Sequence, residues 1–471
     1  MVRSFMYNHE DEKLKEIKRE NDNIKIPDDI DSYIRMGIDN AKKKKKISSN
    51  LRIATLAASI LLATLITSAS LSPAFANYLK TVPGISAFFE LLGGADKGIR
   101  EAVTNDYIQE IGVSNTVDDQ TFTVDHIIFD RSRMIIFYTF DFGQDYIPNE
   151  NYFLRPKILN ENGEGLSAGI SWGGMSGEKN IKKGRIEVSK YNSDLFPDTL
   201  TIQVQIEKYF EESKEYGLVN DRTFSVSFFP NKEKYFSMEE EVLLNEKVSI
   251  EGFTFNVDRA VIYPTQIAVF FSGLDQNSLE LLSFHDFRLV DETGEEWNFI
   301  SGHGSGEKTY TMYFESNFFK NRNTLSLEGS TISALPKEDL LVAIDVKEMK
   351  LLKQPDDRIS FDGIEPSYFE EDQMSLEFSL TLNEDDPNPS YFSFVGHLME
   401  EDGSMMLDEE GNHVDYVGSQ GSRYDERIDG NHIAYASIDI DKSVLDKEEV
   451  IYLKLSNYPN YFTQPFSIKI K

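Results

Sequence analysis

The sequence predicts a mainly β fold, with tandem immunoglobulin-like β-sandwich domains outside the cell, one transmembrane helix and a short helical N-terminal tail. An uncharged apolar run that directly follows a cluster of lysines predicts the membrane helix. Short alternating strands rich in Phe (33 residues) and Tyr (22 residues), which pack well on pleated sheets, predict the β-domains. A stretch that recurs further along the chain predicts that these domains are repeats. A chain of 471 residues is long enough for about three domains.

Residues 1–50 are the predicted cytoplasmic tail, in which a short charged helix precedes an amphipathic helix. Pro27 suits the first turn of the second helix, where its missing N–H is not needed. The apolar side chains of this helix recur at helical spacing and form one stripe, which consists of Ile30, Tyr33, Ile34, Ile38 and Ala41. A segment this short and this charged cannot bury a core of its own.

The apolar stripe of the tail therefore needs another surface to cover it. One interpretation is a helix that folds into a groove of a cytoplasmic partner. The other is a helix that lies on the inner face of the membrane and is held there by the lysines that follow it. The residues alone leave both interpretations open.

The predicted transmembrane helix occupies residues 51–76. No charged residue occurs from Ile53 to Leu79, and the most apolar part, Ile53 to Leu71, would rise about 28 Å as a helix, close to the thickness of a bilayer core. Positive charge stays on the cytoplasmic side, so the N-terminus is predicted inside the cell and the C-terminus outside. The residues that set this topology are Lys42, Lys43, Lys44, Lys45, Lys46 and Arg52.

A cleaved signal peptide is the alternative interpretation of this segment, because Ala74-Phe75-Ala76 resembles a small-x-small cleavage site. However, about 50 residues precede the apolar run, and the run is longer than the usual ~7–15 residues of a signal peptide. These lengths favour an uncleaved anchor. The predicted location is the cell membrane, with a single pass.

Residues 77–112 form a predicted juxtamembrane segment with two short helices. Pro83-Gly84 and Gly93-Gly94 bound the first, which is apolar. The second is predicted over Gly98 to Gln109, with an end at Gly112 and four inward-facing residues: Ile99, Ala102, Val103 and Ile108.

Three β-domains are predicted over residues 113–236, 237–350 and 351–471. The stretch Thr121 to Tyr138 aligns with Thr254 to Phe271, and each reads as two strands around a tight connection. Phe361 to Leu380 is a weaker third copy. Later in each unit a strand ends in an acidic glycine turn, which is a hairpin signal. These turns end at Gly163, Gly294 and Gly403.

Composition excludes several classes of function. The first 52 residues carry 13 basic and 10 acidic side chains, whereas the remainder carries 35 basic and 70 acidic ones, a net charge of −35. Such an acidic part repels phosphate backbones, so direct nucleic-acid binding is not expected. The chain has no Cys, which excludes disulfides, thiolate metal sites and a cysteine nucleophile.

No motif in the sequence predicts catalysis or a cofactor. The stretches Ser176 to Lys179 and Ser305 to Lys308 resemble fragments of a nucleophile elbow and a phosphate loop, but neither has the full spacing. They occupy corresponding places in the two repeats, which favours a repeated turn. The seven histidines show no metal-ligand spacing, and the acidic loops lack the alternating pattern of a calcium loop. We expect no enzyme activity, no catalytic residue, no metal site and no cofactor.

The order of these parts resembles that of the membrane-bound anti-sigma-like proteins of low-GC Gram-positive bacteria, which carry domain of unknown function 4179. The matching pieces are the tail from Ile26 to Lys46, the membrane span, and the segment from Phe75 into the first repeated hairpin. Residues 237–350 resemble the β-domain of unknown function that often follows it.

The resemblance implies that the tail binds an extracytoplasmic-function sigma factor and that the outer domains sense an envelope signal. Proteolysis near and within the membrane would then release the sigma factor. The positions that match the family's tail pattern are Ile26, Pro27, Ile30, Ile34 and Ile38. The tail has no Cys and one histidine, His9, so a zinc version of such a tail is excluded.

Two other hypotheses are compatible with the sequence. One is an anchored surface adhesion or envelope-binding module with an unknown extracellular ligand and no cytoplasmic partner. The other is a surface hydrolase, which is weaker because no nucleophile–base pair is recognisable.

Overall fold

The computed structural model describes residues 95–148, 150–177, 179–190, 196–210, 215–305, 308–320, 323–367, 372–382, 392–408, 410–416, 421–428 and 431–471. The chain divides into two compact units, residues 1–77 and 78–471, and all described residues belong to the second. The predicted tail and transmembrane helix lie outside the described residues. Within the described part, no helix combines the length and the apolarity that a membrane crossing requires.

The prediction of a mainly β fold is confirmed, since strands dominate the described residues. The first β-domain has one sheet in the order β1-β2-β3-β6-β5 and a second in which β7 pairs with β4 on one edge and with β8 and β9 on the other. The rings of Phe140 and Phe224, one from each sheet, lie 5.0 Å apart. The strands are β1 (Gln109–Val117), β2 (Gln120–Phe129), β3 (Arg133–Asp141), β4 (Tyr152–Leu159), β5 (Gly169–Trp172), β6 (Ile181–Ser189), β7 (Leu200–Phe210), β8 (Glu215–Leu218) and β9 (Phe224–Phe228).

The second β-domain repeats this arrangement. Its first sheet has the order β10-β11-β12-β17-β16, and its second is built around β18. One continuous apolar core joins the two sheets. The strands are β10 (Glu240–Ile250), β11 (Phe253–Ile262), β12 (Gln266–Ser272), β13 (Leu279–Phe284), β14 (Arg288–Asp291), β15 (Glu296–Trp297), β16 (Phe299–Ser305), β17 (Thr309–Glu315) and β18 (Leu325–Pro336).

The third β-domain packs a sheet in the order β20-β19-β26-β23 against one in the order β21-β22-β25-β24. Its strands are β19 (Leu341–Asp345), β20 (Lys350–Lys353), β21 (Ile359–Pro366), β22 (Gln373–Leu382), β23 (Ser393–Met399), β24 (Gly421–Ile428), β25 (Asn431–Asp441) and β26 (Val450–Asn457). The last strand of the chain is β27 (Tyr461–Lys469). Helices α1 (Lys97–Thr104), α2 (Lys232–Tyr235) and α3 (Lys442–Lys447) are short.

The predicted internal repeat corresponds to equivalent hairpins. The two aligned stretches form β2–β3 and β11–β12, and the weaker third copy forms β21–β22. The predicted glycine turns are also present. Gly163, Gly294 and Gly403 all have positive φ, between +78° and +83°, a conformation that glycine adopts without steric cost.

The strand pairing differs from the predicted boundary between residues 350 and 351. Strand β19 precedes that boundary but pairs with β26, in the sheet of the third β-domain. Strand β27 lies at the end of the chain but pairs with β18, in the second β-domain. A strand's alternation does not indicate which long-range edge it will join, so the sequence pattern alone could not place either strand.

The second juxtamembrane helix is shorter than predicted. It ends at Thr104 instead of Gln109, and Gln109 already lies in β1. Asp106 adopts a left-handed conformation with φ of 56°, which interrupts the helix. Gly112, the predicted end, has a φ of +65° within β1, next to an irregularity in its pairing with β2.

Candidate coupling site

Helix α1 is the first described element after the predicted membrane segment, and its sequence contains its own start signal. The side chain of Asp96 accepts a hydrogen bond from the backbone N–H of Ile99 at 3.0 Å, which caps the helix. Ile99, Ala102 and Val103 are fully buried, in the i, i+3, i+4 spacing of a helix with one inward face. Three of the four predicted inward residues are therefore correct; Ile108 is half-buried and lies beyond the helix.

A buried arginine connects α1 to the first β-domain. The side chain of Arg133, at the start of β3, is only 3% exposed. Its Nη1 lies 2.8 Å from Asp96 Oδ2, and its Nη2 donates to Glu187 Oε2 on β6 at 2.7 Å. Burial disfavours charge, but the two carboxylates outweigh it and keep the pKa of Arg133 above its usual value.

The second β-domain also holds α1. The backbone N–H of Lys97 donates to Glu315 Oε1 on β17 at 2.9 Å, and the Lys97 ammonium lies 3.4 Å from Glu295. One helical turn later, Glu101 pairs with Lys320 at 2.9 Å. Asp96 thus binds one β-domain, whereas Lys97 and Glu101 bind the next.

Gly98 allows this close packing. A Cβ atom at this position would lie 2.3 Å from the carbonyl oxygen of Thr265 and 3.0 Å from the backbone nitrogen of Ser316. Both atoms are backbone atoms of the second β-domain and cannot rotate away. Any larger residue would separate α1 from that domain.

The two β-domains also contact each other through equivalent turns. Asp130, in the β2–β3 turn, accepts hydrogen bonds through Oδ2 from Thr265 N at 2.9 Å and Thr265 Oγ1 at 2.6 Å. Thr265 lies in the β11–β12 turn, the counterpart of the β2–β3 turn in the repeat. Gln266 Nε2 donates to Ser132 Oγ at 3.1 Å. Asp130 and Thr265 are 1% and 0% exposed, so these bonds are shielded from water.

An aromatic pair completes the junction. Tyr107 Oη donates to the carbonyl oxygen of Tyr235, and Tyr235 Oη donates to that of Ile108, both at 2.8 Å. The two rings meet edge to face at 4.8 Å, and Phe319 of the second β-domain lies 5.5 Å from Tyr107. Burial raises the pKa of Tyr107, so its hydroxyl stays a donor at physiological pH.

We call this junction the coupling site; it consists of Asp96, α1, Tyr107, Asp130, Arg133, Tyr235, Thr265 and Glu315. Its hydrogen bonds and ion pairs join α1 to two β-domains and also join those two domains to each other. A change in the relative position of these domains cannot leave all of them intact. The docking of α1 is therefore coupled to the relative position of the first two β-domains.

A separate cavity of about 390 Å³ opens in the second β-domain. Aromatic and apolar side chains dominate its lining, and His285 contributes Nε2, a buried atom without a hydrogen-bond partner among the described residues. Burial lowers the pKa of His285, with Asp286 opposing the shift, so the ring is neutral at physiological pH. Its volume lies within the range of small-molecule sites.

The residues predicted to bind a partner or to set the membrane topology all precede residue 95 and lie outside the described residues. Ser176 follows β5 and Ser305 is the last residue of β16. Glu178, Gly306 and Glu307 lie outside the described residues, so the interpretation of these stretches as a repeated turn stays a prediction. Within the described part of the chain, no three His, Asp or Glu side chains are grouped as metal ligands.

The sequence analysis did not identify Asp130, Arg133 or Thr265. A signal was present in the aligned repeats, because Asp130-Arg131-Ser132-Arg133 replaces Tyr263-Pro264-Thr265-Gln266 between otherwise similar apolar strands. A polar turn that differs between repeats is a candidate for a specific contact.

We expect Gly98→Ala to loosen α1 and to lower the free energy of unfolding by about 1–3 kcal/mol, because the new methyl group meets fixed backbone atoms. Hydrogen exchange of residues 97–104 and urea unfolding of the full chain in detergent would measure this. Gly173→Ala is the matched control, since no atom lies within 4 Å of a Cβ there. Equal protection of α1 in both variants would contradict the packing argument.

We expect the junction to weaken in acid. Burial alone would raise the pKa of Glu187. The charge and the hydrogen bond of Arg133 outweigh burial and hold the pKa of Glu187 below its usual value. Because the folded-state pKa is the lower one, this stabilisation is complete above the unfolded-state value and is lost as pH falls through the folded-state value. Unfolding free energy measured from about pH 6 to about pH 3 should therefore fall more steeply in the wild type than in Glu187→Gln. Parallel curves would contradict the assignment.

Comparison with known families places two parts of the chain. Residues 42–141 match the model of a domain of unknown function, DUF4179, and residues 239–362 match a family of unknown function, DUF5643. The first match ends with β3, and the second extends from β10 into the third β-domain. No protein with a curated description matches the chain.

Two solved structures are similar at low identity. A crystal structure of a conserved domain protein from Bacillus anthracis is 13% identical, with a TM-score of 0.36, over 52% of this chain and 84% of that chain. A crystal structure of a lysenin pore is 10% identical, with a TM-score of 0.08, over 74% of this chain and 93% of that chain. The family matches confirm the predicted resemblance: the chain carries a DUF4179 domain followed by a DUF5643 region.

Proposed function

We propose that the protein is a single-pass membrane sensor and an anti-sigma factor. Its cytoplasmic tail, residues 1–50, sequesters an extracytoplasmic-function sigma factor, and its immunoglobulin-like β-domains detect an envelope signal. The observation that carries this proposal is the coupling site, in which two β-domains bind α1, the helix that follows the predicted membrane segment. The DUF4179 match and the apolar stripe of the tail also support it.

The coupling site suggests how a signal would pass. A ligand or force that separates the first two β-domains breaks the Asp130–Thr265 bonds and releases α1 from Glu315. We then expect proteolysis on the membrane side of α1, which lets the tail leave with its sigma factor. A ligand can shift this equilibrium only by its difference in affinity for the docked and released states.

A second candidate is an anchored envelope-binding module whose tail is only an anchor. The aromatic cavity beside His285 favours it, because that cavity would accept a small apolar group with one hydrogen-bond acceptor for Nε2. The two candidates share the membrane anchor and differ in the role of the tail.

Tagged residues 1–50 would be used to recover partners from native cells, because the proposal places the sigma-binding surface on the apolar stripe. We expect a sigma factor with the wild-type tail and none with Ile30→Asp/Ile34→Asp, which places two charges in that stripe. Asn21→Asp/Asn23→Asp adds the same charge outside the stripe and should still recover it.

The outcome separates the candidates. Recovery of no sigma factor by any tail would reject the anti-sigma proposal and favour the envelope-binding module. That module further predicts full function after replacement of residues 1–50 by an unrelated basic sequence, whereas an anti-sigma factor would lose control of transcription.

A further inference from the structure

The three β-domains close their second sheets in different ways. In each of these sheets, one strand pairs with neighbours on both edges. These central strands are β7, β18 and β26. In the first β-domain, the chain leaves β7, returns, and places β8 and β9 on the edge of β7 opposite β4. The closing strand is therefore local there.

The second and third β-domains exchange their closing strands. The chain leaves β18 and forms β19, which pairs antiparallel with β26 from Leu341↔Lys454 to Asp345↔Val450. It leaves β26 and forms β27, which pairs antiparallel with β18 from Ser333↔Tyr461 to Ser326↔Lys469. Strand β27, which follows β26, thus completes the second domain. Strand β19, which follows β18, completes the third.

Strand β27 is part of the second domain's core. The ring of Phe466 lies 5.0 Å from that of Phe287 and 6.1 Å from that of Phe255. Ile470 is 3% exposed in the same cluster, and Phe462 and Ile468 pack against it. Without β27, this apolar surface and one edge of β18 would face water.

The connection between β26 and β27 is short and is fixed at both ends. Tyr458 is fully buried and its hydroxyl donates to Asp356 Oδ1 at 2.6 Å, within the third β-domain. Arg358 Nη1 donates to the carbonyl oxygen of Pro459 at 3.0 Å. Asn460 Nδ2 then donates to the carbonyl oxygen of Ala334 on β18 at 2.8 Å. These bonds tie the start of β27 both to the third β-domain and to β18.

We propose that the edge of β18 is a β-strand-binding groove whose occupant is residues 460–471, and that β27 is a detachable clasp through which the third β-domain controls the second. The second domain holds α1 through Glu315, so clasp release loosens the coupling site. That last consequence rests on the proposed function; the exchange of strands does not.

The chain has no native cysteine, so an engineered pair can lock the clasp without competing disulfides. Ser326→Cys/Lys469→Cys joins directly opposed residues at the end of β18, away from the coupling site. In the full chain in detergent, we expect the oxidised form to slow hydrogen exchange of the β27-facing amides of β18 by about tenfold or more relative to the reduced form. Exchange in β4 and β7 of the first β-domain, which contain no residue of the coupling site, should not change.

The same experiment can overturn the proposal. If the reduced protein exchanges these β18 amides no faster than those of β11 and β12, β27 does not detach separately. An oxidised form with unchanged β18 exchange would lead to the same conclusion. Neither readout involves a sigma factor, so failure here is distinct from failure of the proposed function.

A complementation experiment tests the groove itself. A chain truncated after Asn460 should bind a labelled peptide of residues 460–471. The intact chain should not bind it, because residues 460–471 already occupy its groove. The matched control peptide carries Phe466→Asp and Ile468→Asp, and its binding should be lost. A truncated chain that keeps native exchange in the first and third domains but binds neither peptide would overturn the proposal. If truncation unfolds the chain, the disulfide comparison decides.

Discussion

The docking of α1 on the first β-domain depends on the buried guanidinium of Arg133. At 3% exposure it cannot be solvated by water, and it is compensated by Asp96 on one side and Glu187 on the other. Removing one partner from such a group leaves a buried charge unpaired, which costs about 3–5 kcal/mol in comparable sites. Asp96 also caps α1, so the same carboxylate fixes the start of the helix and its place on the first domain. The pairing of Arg133 therefore joins the start of α1 to β6 through one buried side chain.

Repetition of one fold explains how this junction is built. The β2–β3 and β11–β12 turns are equivalent, and their tips meet, with Asp130 supplied by one and Thr265 by the other. Each domain presents the same backbone scaffold, and small differences in turn sequence give each tip a different role. The same reuse occurs in the closing strands, which are local in the first domain and exchanged between the second and the third.

Much of the fold could be predicted from the sequence, because it depends on local signals. Alternation from Leu200 to Ile206 indicates β7, and Gly163, Gly294 and Gly403 indicate hairpin turns at positions that require positive φ. The partners of β19 and β27 could not be predicted, since any strand with the right alternation can join any free edge of matching pattern. The coupling site was missed for a related reason: its carboxylates and hydroxyls are ordinary surface residues until distant turns bring them together and bury them. The predicted tail site and topology residues lie outside the described part of the chain and stay predictions.

We propose that docking of α1 controls the N-terminal tail and the sigma factor that the tail is proposed to bind. The most direct measurement is transcription from a promoter that depends on the sigma factor bound by the tail, in cells that express the full chain with either Gly98→Leu or Gly173→Leu. We expect Gly98→Leu, which forces a side chain into backbone atoms of the second β-domain, to raise transcription without any envelope signal. Gly173→Leu should leave it at the wild-type level. Equal, low transcription in both strains, with α1 shown by hydrogen exchange to be undocked in Gly98→Leu, would contradict the account.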